Sequence, residues 1–398
     1  MTPPDSNPVH IAIACGGTGG HLFPGLAVAE QLRARGVAVT ILISPKEVDQ
    51  QAVQSARGVE VVTLPAVALQ RGRRLAFLRG FIQSWLAARK LFRHRRPDAV
   101  LAMGGFTAAP PVLAARSWRL KTFLHESNTI PGRANRWLAR VVDQAFVGFP
   151  ETAGRLAVKQ VLVTGTPVRA EFQPRDVAAS RVALGLEPTR PVVLVMGGSQ
   201  GASGVNALIL GALPVLARHA VKWQWLHLAG PADVVKVRAA YAKLQLQAVV
   251  HPFLAQMDVA LGAATACVSR AGASSLAELA ALRLPALLVP YPTAADNHQW
   301  HNARAFALTG AAQVLEQSAG TPDQVAIQLR ELVEDVAERA RMKVALAQWH
   351  APRAAEQIAE RILQTVGRRV GTPEACGLTS PSLVGVEKRA TLERAPVA

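Results

Sequence analysis

The chain has 398 residues, half of them apolar, and carries 44 lysines and arginines against 27 aspartates and glutamates, a net charge of +17. That length and apolar content suffice for two ordinary domains with sizeable cores and exclude disorder of the whole chain. The charge calls for an anionic partner, nucleic acid or membrane. Three well-separated cysteines, Cys15, Cys267 and Cys376, give neither a disulfide framework nor a zinc spacing, which is reducing-compartment usage. No basic-then-apolar leader and no apolar run of about 20 residues is present, so a cytoplasmic protein is expected.

In chain order, the first predicted element is an apolar strand that stops at Gly16-Gly17, and a helix restarts after Gly19-Gly20. A glycine turn of this kind aims backbone N–H groups at the helix start, where a phosphate or diphosphate is held. It lacks the trailing acidic residue of a dinucleotide fingerprint and the Lys-Ser/Thr of a P-loop, and by itself it is equally a tight strand-to-helix turn. His21 stands at its rim, where an imidazole can serve as a base. Next, no acidic residue falls between Glu60 and Asp98, while Arg71, Arg73, Arg74, Arg79, Arg89, Lys90, Arg93, Arg95 and Arg96 do. Leu75, Leu78, Ile82, Trp85 and Leu86 interleave with them near helical spacing. This is either a helix lying on anionic lipid or a core-facing helix with a solvated basic edge.

The strand, Gly-Gly break and helix recur at 191–210 and, more weakly, from Asp98. Between these openings, β-branched runs at 37–43, 59–64, 122–124, 161–163 and 285–289 alternate with alanine-rich helical stretches. Alternation of this kind predicts parallel sheets covered on both faces. Two primary Gly-Gly openings predict two such domains, 1–166 and 167–349, with a seam in VTGTPVR at 163–169. Helix is expected from Gly320 to about Gly367, broken at Pro352. The part at 350–366 is expected to pack back on the first domain, and 367–398 to be a disordered tail. Ligands of open parallel sheets sit beyond the strands' carboxyl ends, so both glycine loops would face one cleft.

Four stretches would line that cleft. His125, Glu126 and Asn128, before Pro131-Gly132, are either a polar rim or a capped helix start. Arg169 is either a guanidinium reaching a diphosphate or a surface arginine. In the turn from Arg270 through Ala273, Ser274 and Ser275, small residues leave backbone amides open to an anion. Glu278, one turn into the following helix, suits ribose hydroxyls or is a plain first-turn glutamate. Asp296, Asn297, His298, Gln299, His301 and Asn302 crowd a strand end in a way that suits sugar hydroxyls. His298 and His301 find no third ligand nearby, so no metal is expected.

The ordered series GGTGGH, MGGF, HE-x-N with P-G, TG-x-PVR, GGSQGA, SRAG-x-x-x-x-x-E, LP-x-x-LVPYP and D-x-HQ-x-x-NA runs from about Val9 to about Leu363. It resembles the MurG family of bacterial peptidoglycan N-acetylglucosaminyltransferases. The resemblance implies an α/β GT-B fold, two Rossmann-like doubly wound domains facing across a cleft. It implies inverting transfer of N-acetylglucosamine from UDP-N-acetylglucosamine to undecaprenyl-diphospho-N-acetylmuramoyl-pentapeptide (lipid I), giving lipid II and UDP, with no cofactor or metal. By the same resemblance Thr18, Gly19, Gly20 and Asn128 lie near the sugar, Arg169 and Ser199 near the diphosphate, Gln200, Ala273, Ser274 and Ser275 among the substrate-binding residues, and Leu254 against uracil. Glu278 falls on the ribose and Gln299 on the sugar hydroxyls. His21 is expected to be the base or to orient the acceptor, with Asn128 beside it in catalysis. Residues 71–96 correspond to the family's membrane-associated surface. That implies a peripheral protein on the cytoplasmic face of the inner membrane, among other cell-wall synthesis proteins and without nucleic acid. Ser127 stands where glutamine is usual, and His298-Gln299 where some relatives have two glutamines.

Overall fold

The computed structural model describes residues 8–16, 19–46, 50, 58–65, 74–198, 201–218 and 221–367. The first sheet contains β1 (His10–Ala14), β2 (Ala38–Ile43), β3 (Glu60–Thr63), β4 (Ala99–Ala102), β5 (Lys121–Glu126), β6 (Gln144–Val147) and β7 (Val161–Val163). Its order is β3-β2-β1-β4-β5-β6-β7. The second contains β8 (Val192–Met196), β9 (Gln224–Leu228), β10 (Ala248–His251), β11 (Ala266–Ser269), β12 (Ala286–Leu288) and β13 (Gln313–Val314), ordered β10-β9-β8-β11-β12-β13. All pairings are parallel. Strands such as β1, HIAIA, and β8, VVLVM, are buried along their whole length, as apolar runs covered on both faces require. The chain leaves β1 for β2 on one side and returns to β4 on the other, and β8 is flanked likewise by β9 and β11. Each glycine opening therefore follows the strand at a topological switch point, where open α/β sheets bind ligands.

The two sheets are joined through Gly165, whose φ of +79° suits glycine and whose added Cβ would lie 2.3 Å from the Cβ of Ala351. No side chain fits where the closing segment crosses the hinge. The stretch after Gly320 forms three helices, Pro322–Glu334, Val336–Trp349 and Ala354–Thr365. Besides the interruption around Pro352 it breaks at Asp335, whose carboxylate accepts from the backbone N–H of Glu338 (2.9 Å). The last helix buries Ile358, Ala359 and Ile362 among Leu22, Leu26 and Ile13 of the first domain. Arg35 pairs there with Glu356 and Glu360 at 3.4 and 3.5 Å. Residues 368–398, expected to be a disordered tail, lie outside the described residues.

The basic segment forms the helix Arg74–His94; residues 71–73 lie outside the described residues. The helix carries apolar side chains on two faces, one packed on the core and one exposed. Ser84, Ala88 and Phe92 are buried, with Phe81, Trp85 and Leu91 packed beside them. The opposite face leaves Leu75, Leu78, Ile82 and Leu86 84, 53, 45 and 52% exposed. Trp85 belongs to the inner group, where Arg89 lies over its ring at 4.9 Å.

Candidate active site

On the first lobe, helix Gly19–Arg33 carries His21 over Gly104-Gly105, both at positive φ. A Cβ on Gly104 would fall 2.9 Å from Cε1 and Nδ1 of the imidazole. The MGGF glycines, read from sequence as a weaker copy of the phosphate loop, are the floor on which His21 lies.

Beneath this floor β5 ends in His125 and Glu126, both fully buried. They are a support for the loop and not its rim. One Glu126 carboxylate oxygen accepts from Asn128 N–H (2.9 Å) and Nδ2 (3.0 Å); the other accepts from Gly132 N–H (3.0 Å) and Asn135 Nδ2 (2.7 Å). A buried carboxylate persists only when its lone pairs are satisfied in this way. The tie fixes residues 127–132 and the short helix Arg133–Leu138 that follows. His125 Nε2 donates to the Gly165 carbonyl (3.2 Å), which leaves Nδ1 to accept from Ser127 Oγ (3.2 Å). Burial pushes its pKa down to about 4, the Gly165 bond opposing and His21 reinforcing. His125 is thus neutral at pH 7, with Ser127 as its partner.

On the second lobe, helix Ala273–Leu282 begins after Gly272 with no side-chain cap, so its first-turn N–H groups have no cap of their own. Ala273 is buried and can offer only its backbone, Ser275 is half-buried, and Ser274 Oγ donates across the cleft to the carbonyl of Gly20 (3.0 Å). Gln299 Oε1 accepts from the backbone of Ala271 (3.2 Å) and Tyr291 (2.9 Å), which fixes its carboxamide with the NH2 left to donate. Leu254 packs at the edge of the second core. Arg169 is mostly buried and not a surface arginine: its guanidinium lies 4.4 Å from the Phe23 ring and 5.0 Å from that of Phe172, and pairs with Glu171 at 2.9 Å. Burial raises Glu278 to about 7, Arg169 opposing and Glu171 adding to the rise. Burial and Glu171 raise Glu30 as well, against Arg169 and Arg33. Thr18, Ser199 and Gln200 lie outside the described residues.

The polar cluster at 296–302 divides. Asn302, grouped from sequence with sugar-contacting residues, is fully buried and joins the lobes. Its Oδ1 accepts from Thr129 N–H and Oγ1 (3.0 Å each), and its Nδ2 donates to Asn128 Oδ1 (3.0 Å) and the Ala271 carbonyl (3.1 Å). Asn302→Ala should destabilise the protein by about 2 kcal/mol, because it strands the buried Thr129 and Ala271 groups; urea unfolding measures it, and an unchanged midpoint would count against the bridge. Asp296, at φ +50°, also crosses the cleft, to Arg133 (3.4 Å) and Arg136 (2.7 Å).

Residues 11–147 match the glycosyltransferase family 28 N-terminal domain and residues 192–358 the family 28 C-terminal domain. Among curated relatives, the UDP-N-acetylglucosamine--N-acetylmuramyl-(pentapeptide) pyrophosphoryl-undecaprenol N-acetylglucosamine transferase of Anaeromyxobacter dehalogenans is 35% identical over 382 residues, covering 92% of this chain and 95% of its own length. The protein of the same name from Xanthomonas euvesicatoria is 39% identical over 370 residues, covering 92% and 83%. The crystal structure of Acinetobacter baumannii MurG aligns at a TM-score of 0.68 with 28% identity, over 90% of this chain and all of that one. A UDP co-structure of Staphylococcus aureus MnaA reaches the same TM-score at 14% identity, which speaks to the fold alone. With two parallel α/β domains meeting at this cleft and relatives at these identities over nine-tenths of its length, the chain belongs to the MurG family of glycosyltransferases.

Proposed function

We propose that the protein transfers N-acetylglucosamine from UDP-N-acetylglucosamine to N-acetylmuramyl-(pentapeptide) pyrophosphoryl-undecaprenol. Beyond family membership, one observation carries the assignment of roles: the Ser274–Gly20 hydrogen bond brings the helix that bears His21 against the uncapped start of helix 273–282. A base and an anion-binding helix terminus then face one another across the cleft. His21 takes the proton of the acceptor hydroxyl as that oxygen attacks the anomeric carbon. The departing UDP is met by the amides at 273–275 and by Arg169, donors preorganised where negative charge develops. Gln299 donates to the sugar, Glu278 accepts from the ribose, and Leu254 lies against the base. Gly19, Gly20 and Asn128 border the sugar from the first lobe. Purified protein given labelled UDP-N-acetylglucosamine and a lipid I analogue should yield a labelled disaccharide lipid. Hydrolysis of the donor without lipid product would overturn the reading.

The lipid acceptor calls for membrane contact, and no helix among the described residues is long and apolar enough to cross a membrane. We assign docking on the cytoplasmic face to the exposed ridge of Leu75, Leu78, Ile82 and Leu86, flanked by exposed Arg79, Lys90 and Arg93. Apolar side chains inserted beside basic ones bind anionic bilayers reversibly. Burying such a side chain is worth about 1.5–3 kcal/mol. Changing all four to serine should therefore lower affinity for anionic vesicles at least about tenfold in co-sedimentation and leave Tm unchanged, since none supports the core. A variant that keeps its vesicle affinity, or unfolds, would return the helix to a purely structural role.

A further inference from the structure

We propose that Arg133 and Arg136 form a subsite for the carboxylate-bearing peptide of the acceptor, and that Asp296 holds this subsite until the peptide exchanges with it; the proposal rests on the acceptor assigned above. Three observations converge on the pair.

The first is position. Arg133 and Arg136 lie on the short helix whose inward residue, Asn135, donates to Glu126 and would lie 3.1 Å from a Cβ on Gly104, the glycine under His21. The arginines are therefore within one helical turn of the floor of the reacting site. They point outward: their side chains are 82 and 45% exposed. Exposed Trp137 and Arg140 extend the same rim.

The second is charge. Among the described residues the only ion pairs of Arg133 and Arg136 are with Asp296. That carboxylate comes from the opposite lobe, three residues before Gln299. Arginine forks match carboxylates geometrically, so the pair is a carboxylate receptor already holding one.

The third is strain. Asp296 and its neighbour Asn297 both sit in the left-handed region, at φ +50° and +51°, a conformation that Asp and Asn tolerate at some cost. An exposed ion pair contributes little to stability, so the contact is weak enough to yield to a ligand. A substrate carboxylate would replace one of like chemistry. The acceptor class named for the relatives carries a pentapeptide, and an N-linked peptide ends in a carboxylate.

The test compares three water-soluble acceptors that share the sugar diphosphate: one with the free peptide, one with its carboxylates amidated, and one without peptide. In the parent protein the free-carboxylate acceptor should have a KM up to about fivefold below the other two, the upper end for an exposed ion pair, and the difference should shrink with salt. Arg133→Gln with Arg136→Gln should raise the KM of that acceptor to the level of the others, with kcat and donor KM unmoved. Asp296→Asn should lower it. Equal KM values for all three acceptors in the parent, a double variant that still discriminates, or a uniform rise across the three would overturn the subsite. If the parent turns over none of them, the assigned function itself falls.

Discussion

Replacing His21 by alanine is expected to lower kcat by about 10²-fold or more, the usual worth of a positioned proton acceptor, while the affinity for UDP stays within about twofold. The separation follows from where the groups lie. His21 rests on Gly104 and Gly105 of the first lobe, whereas the residues assigned to UDP, apart from Arg169 at the hinge, belong to the second. The contact between lobes at this point uses the Gly20 backbone carbonyl, which the substitution keeps. Single-turnover formation of labelled lipid product gives the chemical step, and calorimetric titration with UDP gives the affinity. Parallel losses in both would mean that the imidazole organises the cleft and takes no proton.

How far such a site can be read from sequence depends on the range of the interactions that build it. Strand ends and glycine turns are local, so the openings after β1 and β8 are legible: an apolar run stops, glycines follow, and a helix begins. The floor under His21 is not, because Gly104 and Gly105 are over 80 residues away from it in the chain and their motif looks like another phosphate loop. Asn302 misleads for the same reason. Its neighbours in sequence are polar, yet its partners Asn128 and Thr129 lie 174 and 173 residues distant, and only the closing of two lobes buries it. His125 and Glu126 read as either rim or cap until Gly132 and Asn135 are seen to satisfy the carboxylate from below. The break at Asp335 is a local signal: an aspartate followed three residues later by Glu338 is a helix-start pattern. On the basic helix, spacing identified an apolar stripe without telling which of two stripes the core would take. Ser84, Ala88 and Phe92 pack inward, and Leu75, Leu78, Ile82 and Leu86 remain outside.

Glu278 should make donor binding and protein stability respond to pH in opposite directions. Its carboxyl is pushed up to about 7 by burial, with Arg169 opposing and Glu171 reinforcing, well above the value of about 4.3 expected in the unfolded chain. Between those two values the folded protein holds the proton more tightly than the unfolded one, so stability rises as pH falls through 7 and is lost as pH rises through it. Ribose recognition runs the other way. The ionised carboxylate can accept from two hydroxyls at once, and hydrogen bonds to a charged group are worth about 1.5–3 kcal/mol, so protonation should weaken donor binding. The KM for UDP-N-acetylglucosamine is therefore expected to rise by up to about tenfold as pH is lowered from about 8 to about 6, the change in ionised fraction of a group titrating near 7. Glu278→Gln should fix KM at the high value across that range and remove the corresponding slope from the melting curve of the unliganded protein. UDP should raise Tm more at the higher pH, since a ligand stabilises in proportion to its affinity for the folded state. Protonation of the base His21 would act on kcat instead, and the split between kcat and KM separates the two. A Glu278→Gln variant that keeps the parent's donor affinity, or a parent whose donor KM is flat from about pH 6 to about pH 8, would remove Glu278 from the ribose and leave it as a half-buried glutamate in the second turn of its helix, not the first-turn residue that the sequence suggests.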